Sequence, residues 1–240
     1  MARLDWNRGQ RYEYKMFRLL YDRGYLTAPE PGTPGGTDSG FMHNGNIYKL
    51  EIKRDLSADY GQKALMWNAE SGWHWAVMDT MSDLLDYLDA LEYLNRKDIK
   101  PLRYTKQKMA ITYEDARTDQ RAFEDSKLSM PSEALWTYYG RKDIHYIQVG
   151  SGYGFYHLDK DVANLGTSQF DVNLKLRFRA KYHNHKLRKT DEIGNILKST
   201  PTPWNYSFFA VLKVISKPEK SKYNLEPGRG QKFPPLKNKA

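Results

Sequence analysis

The sequence contains no cysteine, and this absence excludes both a disulfide framework and a zinc site built on thiolates. It also lacks any apolar run near the ~20 residues that a membrane-spanning helix needs. The first residues, Met-Ala-Arg-Leu-Asp-Trp, lack the apolar segment of a signal peptide. We therefore expect no membrane partner and a cytoplasmic, intracellular location, which for a viral protein would be the host cytoplasm.

A nucleotide-hydrolysis loop is missing as well. The segment Gly150-Ser-Gly-Tyr-Gly154 is rich in glycine, but no Lys-Ser or Lys-Thr pair follows it. The turn of a hairpin explains these glycines. The chain is therefore not expected to be a helicase by itself.

The sequence carries an excess of positive charge. Lysine and arginine number 38 against 29 aspartate and glutamate residues, which gives a formal net charge of +9 and a sequence pI near 9.4. A basic surface attracts polyanions, chiefly nucleic acid or an anionic membrane. Because no membrane-spanning run is present, DNA is the expected partner.

The length of 240 residues suits one α/β domain with a substantial core. We expect a single domain over 1–216, in which 96–128 form either a helical insertion or a mobile lid. The basic segment 217–240 contains proline and glycine and is expected to form a disordered tail.

Periodicity, capping and turn signals predict a mixture of helices and strands, which is the pattern of an α/β protein. The predicted helices cover 9–23, 59–70, a segment opened by Thr80 with Asp83, and 131–140. The predicted strands cover 38–43, 46–53, 73–79, 144–149, 153–158, 171–181 and 207–215.

The first two strands are joined by Asn44-Gly45, a strong signal for a two-residue hairpin turn because both turn positions need positive φ. Such a turn determines the pairing register, and paired positions then sum to 89. Asp38 is therefore expected directly opposite Glu51, with Cβ atoms roughly 4.5–5.5 Å apart.

Alternation along the hairpin separates a core face from a polar face. The core face carries Phe41, Tyr48, Leu50 and Ile52. The polar face carries Asp38, Met42, Ile47, Lys49, Glu51 and Lys53. Two opposed carboxylates repel each other, and a divalent cation such as Mg²⁺ with its preference for oxygen ligands would remove this penalty. The alternative is a solvated surface whose charges Lys49 and Lys53 partly relieve.

The order Asp38, then Glu51-Ile52-Lys53 on the next strand, resembles the PD-(D/E)XK nuclease superfamily. This superfamily includes many restriction enzymes, junction resolvases, and viral and recombination nucleases. Thr37 stands where the motif name has proline, a position that varies among its members.

The residues around this motif extend the resemblance over 9–65, about a quarter of the chain. A Gly-x₃-Glu pattern, here Gly9-Gln-Arg-Tyr-Glu13, precedes the hairpin, and the predicted helix ends in Gly24-Tyr25. Many members carry a glutamine early in the helix after the lysine strand, and Gln62 has that place here. Beyond residue 80 there is little resemblance.

The resemblance implies a restriction-endonuclease-like fold, in which a mixed central sheet is flanked by helices. It implies phosphodiester hydrolysis by metal-activated water, with Asp38 and Glu51 holding Mg²⁺, for which Mn²⁺ can substitute. Lys53 would orient or deprotonate the nucleophile or offset transition-state charge. Glu13 would reach the metal through water or bind a second ion, and Gln62 would position the phosphate or Lys53. The alternative for Gln62 is a solvated helix face.

The strand at 171–181 places an apolar row on one face, with cations on the other. The cations are Lys175, Arg177, Arg179 and Lys181. Four aligned cations can follow a phosphate backbone, so this strand is the predicted DNA-binding surface. The alternative is an ordinary solvated sheet face.

These observations predict a Mg²⁺-dependent deoxyribonuclease, as in restriction, recombination or viral DNA processing. One alternative within the same superfamily is a structure-specific resolvase of Holliday junctions, which would be a homodimer. The alternative from another class is a noncatalytic DNA-binding protein.

Overall fold

The computed structural model of the chain describes most of the sequence, namely residues 8–26, 39–102, 113–124, 127–183, 186–190, 196–201 and 205–237. The described α-helices are α1 Arg8–Asp22, α2 Thr80–Tyr87, α3 Ala90–Arg96, α4 Tyr113–Glu124 and α5 Ser132–Gly140. The described strands are β1 Ser39–His43, β2 Asn46–Lys53, β3 Gly61–Asn68, β4 Gly72–Trp75, β5 Lys127–Met130, β6 Ile144–Val149, β7 Gly154–His157, β8 Leu174–His183, β9 Lys186–Thr190, β10 Ile196–Pro201 and β11 Asn205–Val214. None of the described helices is long and apolar enough to cross a membrane.

The chain divides into two compact units. The first unit consists of Met1–Tyr60, Met130–Leu174 and Lys213–Ala240. The second unit consists of Gly61–Ser129 and Lys175–Leu212.

The first unit is built on a four-stranded mixed sheet in the order β1-β2-β6-β7. Strand β2 pairs antiparallel with β1 and parallel with β6, and β6 and β7 form an antiparallel pair. Helices α1 and α5 belong to the same unit. The predicted α/β class, with a mixed sheet flanked by helices, is therefore confirmed.

The hairpin between β1 and β2 has the predicted register. The pairs run from His43 with Asn46 to Ser39 with Leu50, and Asn44 and Gly45 both have positive φ, at 49° and 78°. Asp38 lies outside the described residues, so its predicted pairing with Glu51 remains a prediction. The local turn thus determines which side chains share a face up to Leu50.

Helix α1 packs one face against the core face of the hairpin. Its Met16 and Leu20 are fully buried, in one cluster with Phe41 and Leu50 of β1 and β2. Gly24 follows the helix with a φ of 74°, which confirms the predicted C-terminal stop. Helix α5 likewise begins directly after Pro131 and ends at Gly140, as predicted.

The C-terminal segment corrects the predicted disordered tail. The structure describes 217–237 as part of the first unit, and Leu225 and Leu236 belong to its core cluster. Ser221 is buried and donates from Oγ to the Phe155 carbonyl at 2.6 Å. The basic composition concealed this docking because the few apolar residues are widely spaced and follow no helical or strand period.

The second unit is built on a five-stranded sheet in the order β4-β3-β11-β8-β5. Strand β3 pairs antiparallel with β4 on one side and with β11 on the other. This corrects the predicted helix over 59–70. Lys63 and Leu65 are buried, whereas Gln62 before them and Met66 after them are exposed, and this alternation of period two is typical of a strand.

The predicted helix after Thr80 is two helices. Its N-cap is Asp79, which forms a capping box with Ser82 in place of the predicted Thr80 and Asp83. The chain turns at Asp89, whose φ of 54° interrupts the helical geometry between α2 and α3. The strand predicted over 73–79 is β4, which ends at Trp75, before the N-cap Asp79. Of the segment 96–128, predicted as a helical insertion or a mobile lid, the structure shows α4, and 103–112 and 125–126 lie outside the described residues.

Candidate active site

Two of the predicted catalytic residues meet at the end of β2. Alternation along the strand directs Glu51 and Lys53 to the same face, and the Lys53 ammonium nitrogen lies 2.5 Å from Oε1 of Glu51. Their side chains are only 16% and 18% exposed. A carboxylate and an ammonium group thus form an ion pair that is largely buried but still partly accessible to solvent.

An aromatic ring lies beside this pair. The Lys53 ammonium is 5.8 Å from the ring centroid of Tyr60, within the range of a cation–π contact. Burial raises the pKa of the Tyr60 hydroxyl above its usual range, and the carboxylates of Asp55 and Glu51 add to the effect. Tyr60 is therefore a neutral phenol, and its ring supports the lysine.

The loop after β2 holds another carboxylate, Asp55, for which the sequence reasoning had no role. Asp55 accepts from Arg54, and from both the backbone and the hydroxyl of Ser57 at 2.9 and 2.5 Å. Burial works to raise the pKa of Asp55, but these hydrogen bonds and the Arg54 charge hold it below the usual value. Asp55 is therefore ionised, two residues beyond Lys53. The sequence signal that could have identified Asp55 as a candidate site residue is its position two residues after Lys53.

The end of β2 is held by a close approach at Gly150, which follows β6. The Gly150 amide donates to the Lys53 carbonyl at 2.9 Å. A Cβ atom at Gly150 would lie 2.3 Å from the Arg54 carbonyl oxygen and 2.8 Å from Cζ of Tyr12 on α1. Only glycine leaves room for the helix and the strand end to meet here.

A buried polar network then joins α1 to the C-terminal segment. The Gln148 side chain is fully buried and donates from Nε2 to the Tyr12 hydroxyl at 3.2 Å and to Oδ1 of Asn224 at 2.8 Å. Its Oε1 accepts from the Leu225 amide at 3.1 Å. Burial raises the pKa of Tyr12 to about 12, although the Gln148 hydrogen bond opposes the shift. No sequence pattern predicted this network, because its members are far apart in the chain.

The remaining predicted catalytic residues are dispersed. Glu13 follows Tyr12 on α1 and is part-buried in the first unit, whereas Gln62 is exposed on β3 of the second unit. Asp38 is not among the described residues. Within the part of the chain that the structure describes, no three histidine, aspartate or glutamate side chains form a metal-binding group.

The predicted DNA-binding strand, β8, has the expected alternation. Val172, which precedes β8, and Leu174, Leu176, Phe178 and Ala180 are buried, while the four cations are partly or fully exposed. An Nη of Arg177 lies 2.8 Å from a carboxylate oxygen of Glu124. Arg179 and Lys181 instead donate to Oε1 of Gln62, at 3.1 and 3.4 Å.

No model of a known protein family matches this chain, and no similar curated protein was found. Among solved structures the chain is similar to HhaI endonuclease in complex with DNA, at 11% sequence identity and a TM-score of 0.40, over 85% of this chain and 91% of that chain. At this identity and TM-score the similarity identifies neither the activity nor the ligands of this chain.

Proposed function

We propose that this chain is a Mg²⁺-dependent nuclease that hydrolyses phosphodiester bonds in DNA. The observation that carries the proposal is the desolvated pair of Glu51 and Lys53 at the end of β2. The hairpin register supports it, because continuing the observed pairing by one residue would put Asp38 opposite Glu51.

The donor set fits a hard divalent cation. Mg²⁺ takes oxygen ligands and needs only one or two protein carboxylates, because water and substrate phosphate complete its shell. Glu51 and Asp38 would hold the ion, with Glu13 as a ligand through water, and Mn²⁺ would substitute. When bound, the ion supplies polarisation of the phosphate and a lower pKa for a bound water.

Lys53 supplies the second chemical group. In the absence of a metal its ammonium is held by Glu51, so its position is determined before the substrate arrives. During hydrolysis it would orient the attacking water or offset the negative charge that develops on the phosphate. The Tyr60 ring and the Gly150 contact keep the ammonium and the strand end in place.

The choice of DNA as substrate rests on charge. The chain carries a net charge of +9, and β8 presents four cations along one face. Such a face suits a polyanion whose phosphates repeat along its length.

The deciding experiment replaces Glu51 by glutamine, which keeps the shape and a hydrogen-bond acceptor for Lys53 but removes the charge. The matched control is Asp143→Asn, because Asp143 pairs with Lys49 in the middle of β2, at 3.7 Å, and not with Lys53. Cleavage is measured on linear, circular, single-stranded and branched DNA, with and without Mg²⁺. Glu51→Gln should abolish Mg²⁺-dependent cleavage, and Asp143→Asn should retain it.

Three outcomes bear on the alternatives. Undiminished cleavage by Glu51→Gln would refute the assignment. Binding of DNA by the unmodified chain without cleavage of any substrate would identify a noncatalytic DNA-binding protein. Cleavage confined to four-way junctions, by a dimer in solution, would identify a resolvase.

A further inference from the structure

One phenylalanine of the second unit faces away from the core. Phe208 of β11 is buried and contacts the rings of Trp73 and Phe123. Phe209 follows it directly in the same strand, so its ring lies on the opposite face of the sheet, where it is partly exposed. The outer face of this sheet therefore carries an aromatic ring that core packing does not explain.

The residues of β3 beside Phe209 leave its ring open. Its partner in the antiparallel pair of β11 and β3 is Ala64, and directly paired residues share a face. The methyl group of Ala64 is too short to cover a phenyl ring. Met66, two residues further along β3, is a diagonal neighbour of Phe209 and is 47% exposed. Phe209, Ala64 and Met66 thus form a shallow apolar step on the outer face.

The flat face of the Phe209 ring, and not only its edge, is accessible from outside the sheet. Lys181 is an exposed residue of β8, and its ammonium nitrogen lies 4.9 Å from the centroid of this ring. A cation takes this position because the face of an aromatic ring carries the negative part of its quadrupole. The same surface is available to a flat aromatic ligand once the flexible lysine side chain moves aside.

The charge around the apolar step favours a polyanion over a cationic protein. None of the strands β3, β4, β8 and β11 contains an aspartate or a glutamate, whereas β8 contributes four cations. The acid that pairs with Arg177, Glu124, comes from α4. A nucleic acid combines flat aromatic groups with a negatively charged chain. Its bases would use the ring itself and need no spare donor from these cations.

The ring selects a base that is not paired. Inside a duplex, the neighbouring base pairs cover both faces of each base, so no face is offered to a protein side chain. A base in a single strand, or one turned out of a duplex, offers its face. Every base has such a face, and stacking on it uses no hydrogen bond to a base edge. Binding of this kind depends little on sequence.

We infer that the apolar step is a binding site for one unpaired base of a DNA strand, which stacks on the ring of Phe209. The inference deepens the proposed function and rests on it for the choice of DNA. The apolar step adds affinity for an unpaired strand that a fully paired duplex does not receive.

The test measures DNA binding separately from cleavage. The full chain carrying Glu51→Gln is the parent, and it is titrated with EDTA present into three fluorescent probes. These are oligothymidine, an abasic strand of the same length, which keeps the phosphates without the bases, and a blunt duplex. Phe209→Leu in this parent keeps an apolar side chain without an aromatic face, and Phe209→Trp keeps an aromatic face. Thermal melting verifies that each variant is folded.

The matched control is Tyr87→Leu in the same parent. It makes the same kind of change, from an aromatic ring to leucine, in the same unit. Tyr87 is 84% exposed, but it lies on α2 and not on the sheet. A general effect of removing an exposed ring would appear in this variant as well.

We expect Phe209→Leu to weaken the binding of oligothymidine by at least about fivefold, the lower end of what one base stacked on an aromatic side chain contributes. Phe209→Trp should bind oligothymidine at least as tightly as the parent. The affinities of Phe209→Leu for the abasic strand and for the duplex should change little. Tyr87→Leu should leave all three affinities close to those of the parent.

Unchanged oligothymidine affinity in a folded Phe209→Leu protein would overturn the inference. An equal loss on the abasic strand would also overturn it, because the ring would then act without a base. An equal loss on the duplex would refute the selection of unpaired bases. Self-association that disappears in Phe209→Leu, with unchanged DNA affinity, would assign the apolar step to a second copy of the chain.

Two further outcomes separate this inference from the proposed function. A parent that binds none of the three probes would overturn both the base-binding site and DNA as the substrate. Absence of cleavage by the unmodified chain, with Phe209-dependent binding intact, would reject the nuclease alone.

Discussion

The ammonium nitrogen of Lys53 lies 2.5 Å from the carboxylate of Glu51, and both side chains are largely shielded from water. From the sequence, Glu51 is expected to face a second carboxylate across the hairpin, so its removal should leave stability unchanged or increase it. The ion pair changes this expectation. Removing Glu51 deprives a mostly buried cation of this partner, so a variant such as Glu51→Ala should lose about 1 kcal/mol of stability.

Replacement of Lys53 by methionine separates chemistry from metal binding. Methionine keeps an apolar stem and deletes the charge, while the carboxylates remain. Mg²⁺ affinity, measured by calorimetry, should be retained or improve, because one cation fewer competes for Glu51. Single-turnover cleavage at saturating Mg²⁺ should slow by at least ~10²-fold, the usual contribution of a positioned acid–base or electrostatic group.

The control for this prediction is Lys49→Met, since Lys49 lies four residues before Lys53 on the same strand and pairs with Asp143. Its cleavage rate should stay near that of the unmodified chain. If saturating Mg²⁺ restored the normal rate to Lys53→Met, the role of Lys53 would be structural.

Gly150→Ala should destabilise the first unit. The added Cβ would meet the Arg54 carbonyl oxygen at 2.3 Å, and backbone atoms cannot move aside as a flexible side chain does. Overpacking of this kind costs about 1–3 kcal/mol, measured here by urea denaturation. Gly140→Ala is the control, because nothing lies within 4 Å of a Cβ there and alanine is favoured in a helix. Equal stability of the two variants would contradict the tight contact.

Leu225→Ala tests the docking of the C-terminal segment. Leu225 is fully buried in the core of the first unit, so its truncation should cost about 2–5 kcal/mol of unfolding free energy. Lys220→Ala, at an exposed position of the same segment, should change little. A disordered tail would make both substitutions neutral, and chemical denaturation distinguishes the two cases.

His43 should make stability depend on pH. Burial lowers the pKa of its ring below the ordinary 6.5, the Lys237 charge lowers it further, and Asp161 opposes both. Nδ1 accepts from the Lys237 amide at 3.2 Å, and this contact requires the neutral ring. The unfolded chain therefore takes up a proton before the folded chain does as the pH falls below about 6.5, so stability decreases there.

The measurement compares urea midpoints at about pH 7.5 and pH 5.5 for the unmodified chain and for His43→Gln. Glutamine can accept from the same amide but does not titrate in this range. The variant should lose less stability between the two pH values, and an equal loss in both proteins would assign the pH dependence to other groups.

Several features followed from the sequence because their determinants are close together in the chain. Asn44 and Gly45 alone determine the register of β1 and β2, since a two-residue turn permits one pairing. Pro131 and Gly140 bound α5, and the alternation within β8 separates cations from apolar side chains. Glu51 and Lys53 meet because they are two residues apart on one strand and therefore lie on the same face.

Tertiary structure alone decided the features that depend on distant partners. Gln62 was assigned to a helix from its surroundings, but Gly61–Asn68 becomes a strand because β11 pairs with it from the far end of the chain. That pairing brings Gln62 to Arg179 and Lys181, a contact that no local pattern indicates. Gln148 and Leu225 likewise meet only in the folded chain. Local turns and caps act through the neighbouring backbone. Burial and strand pairing instead depend on which distant segments of the chain pack together and so shield their side chains from water.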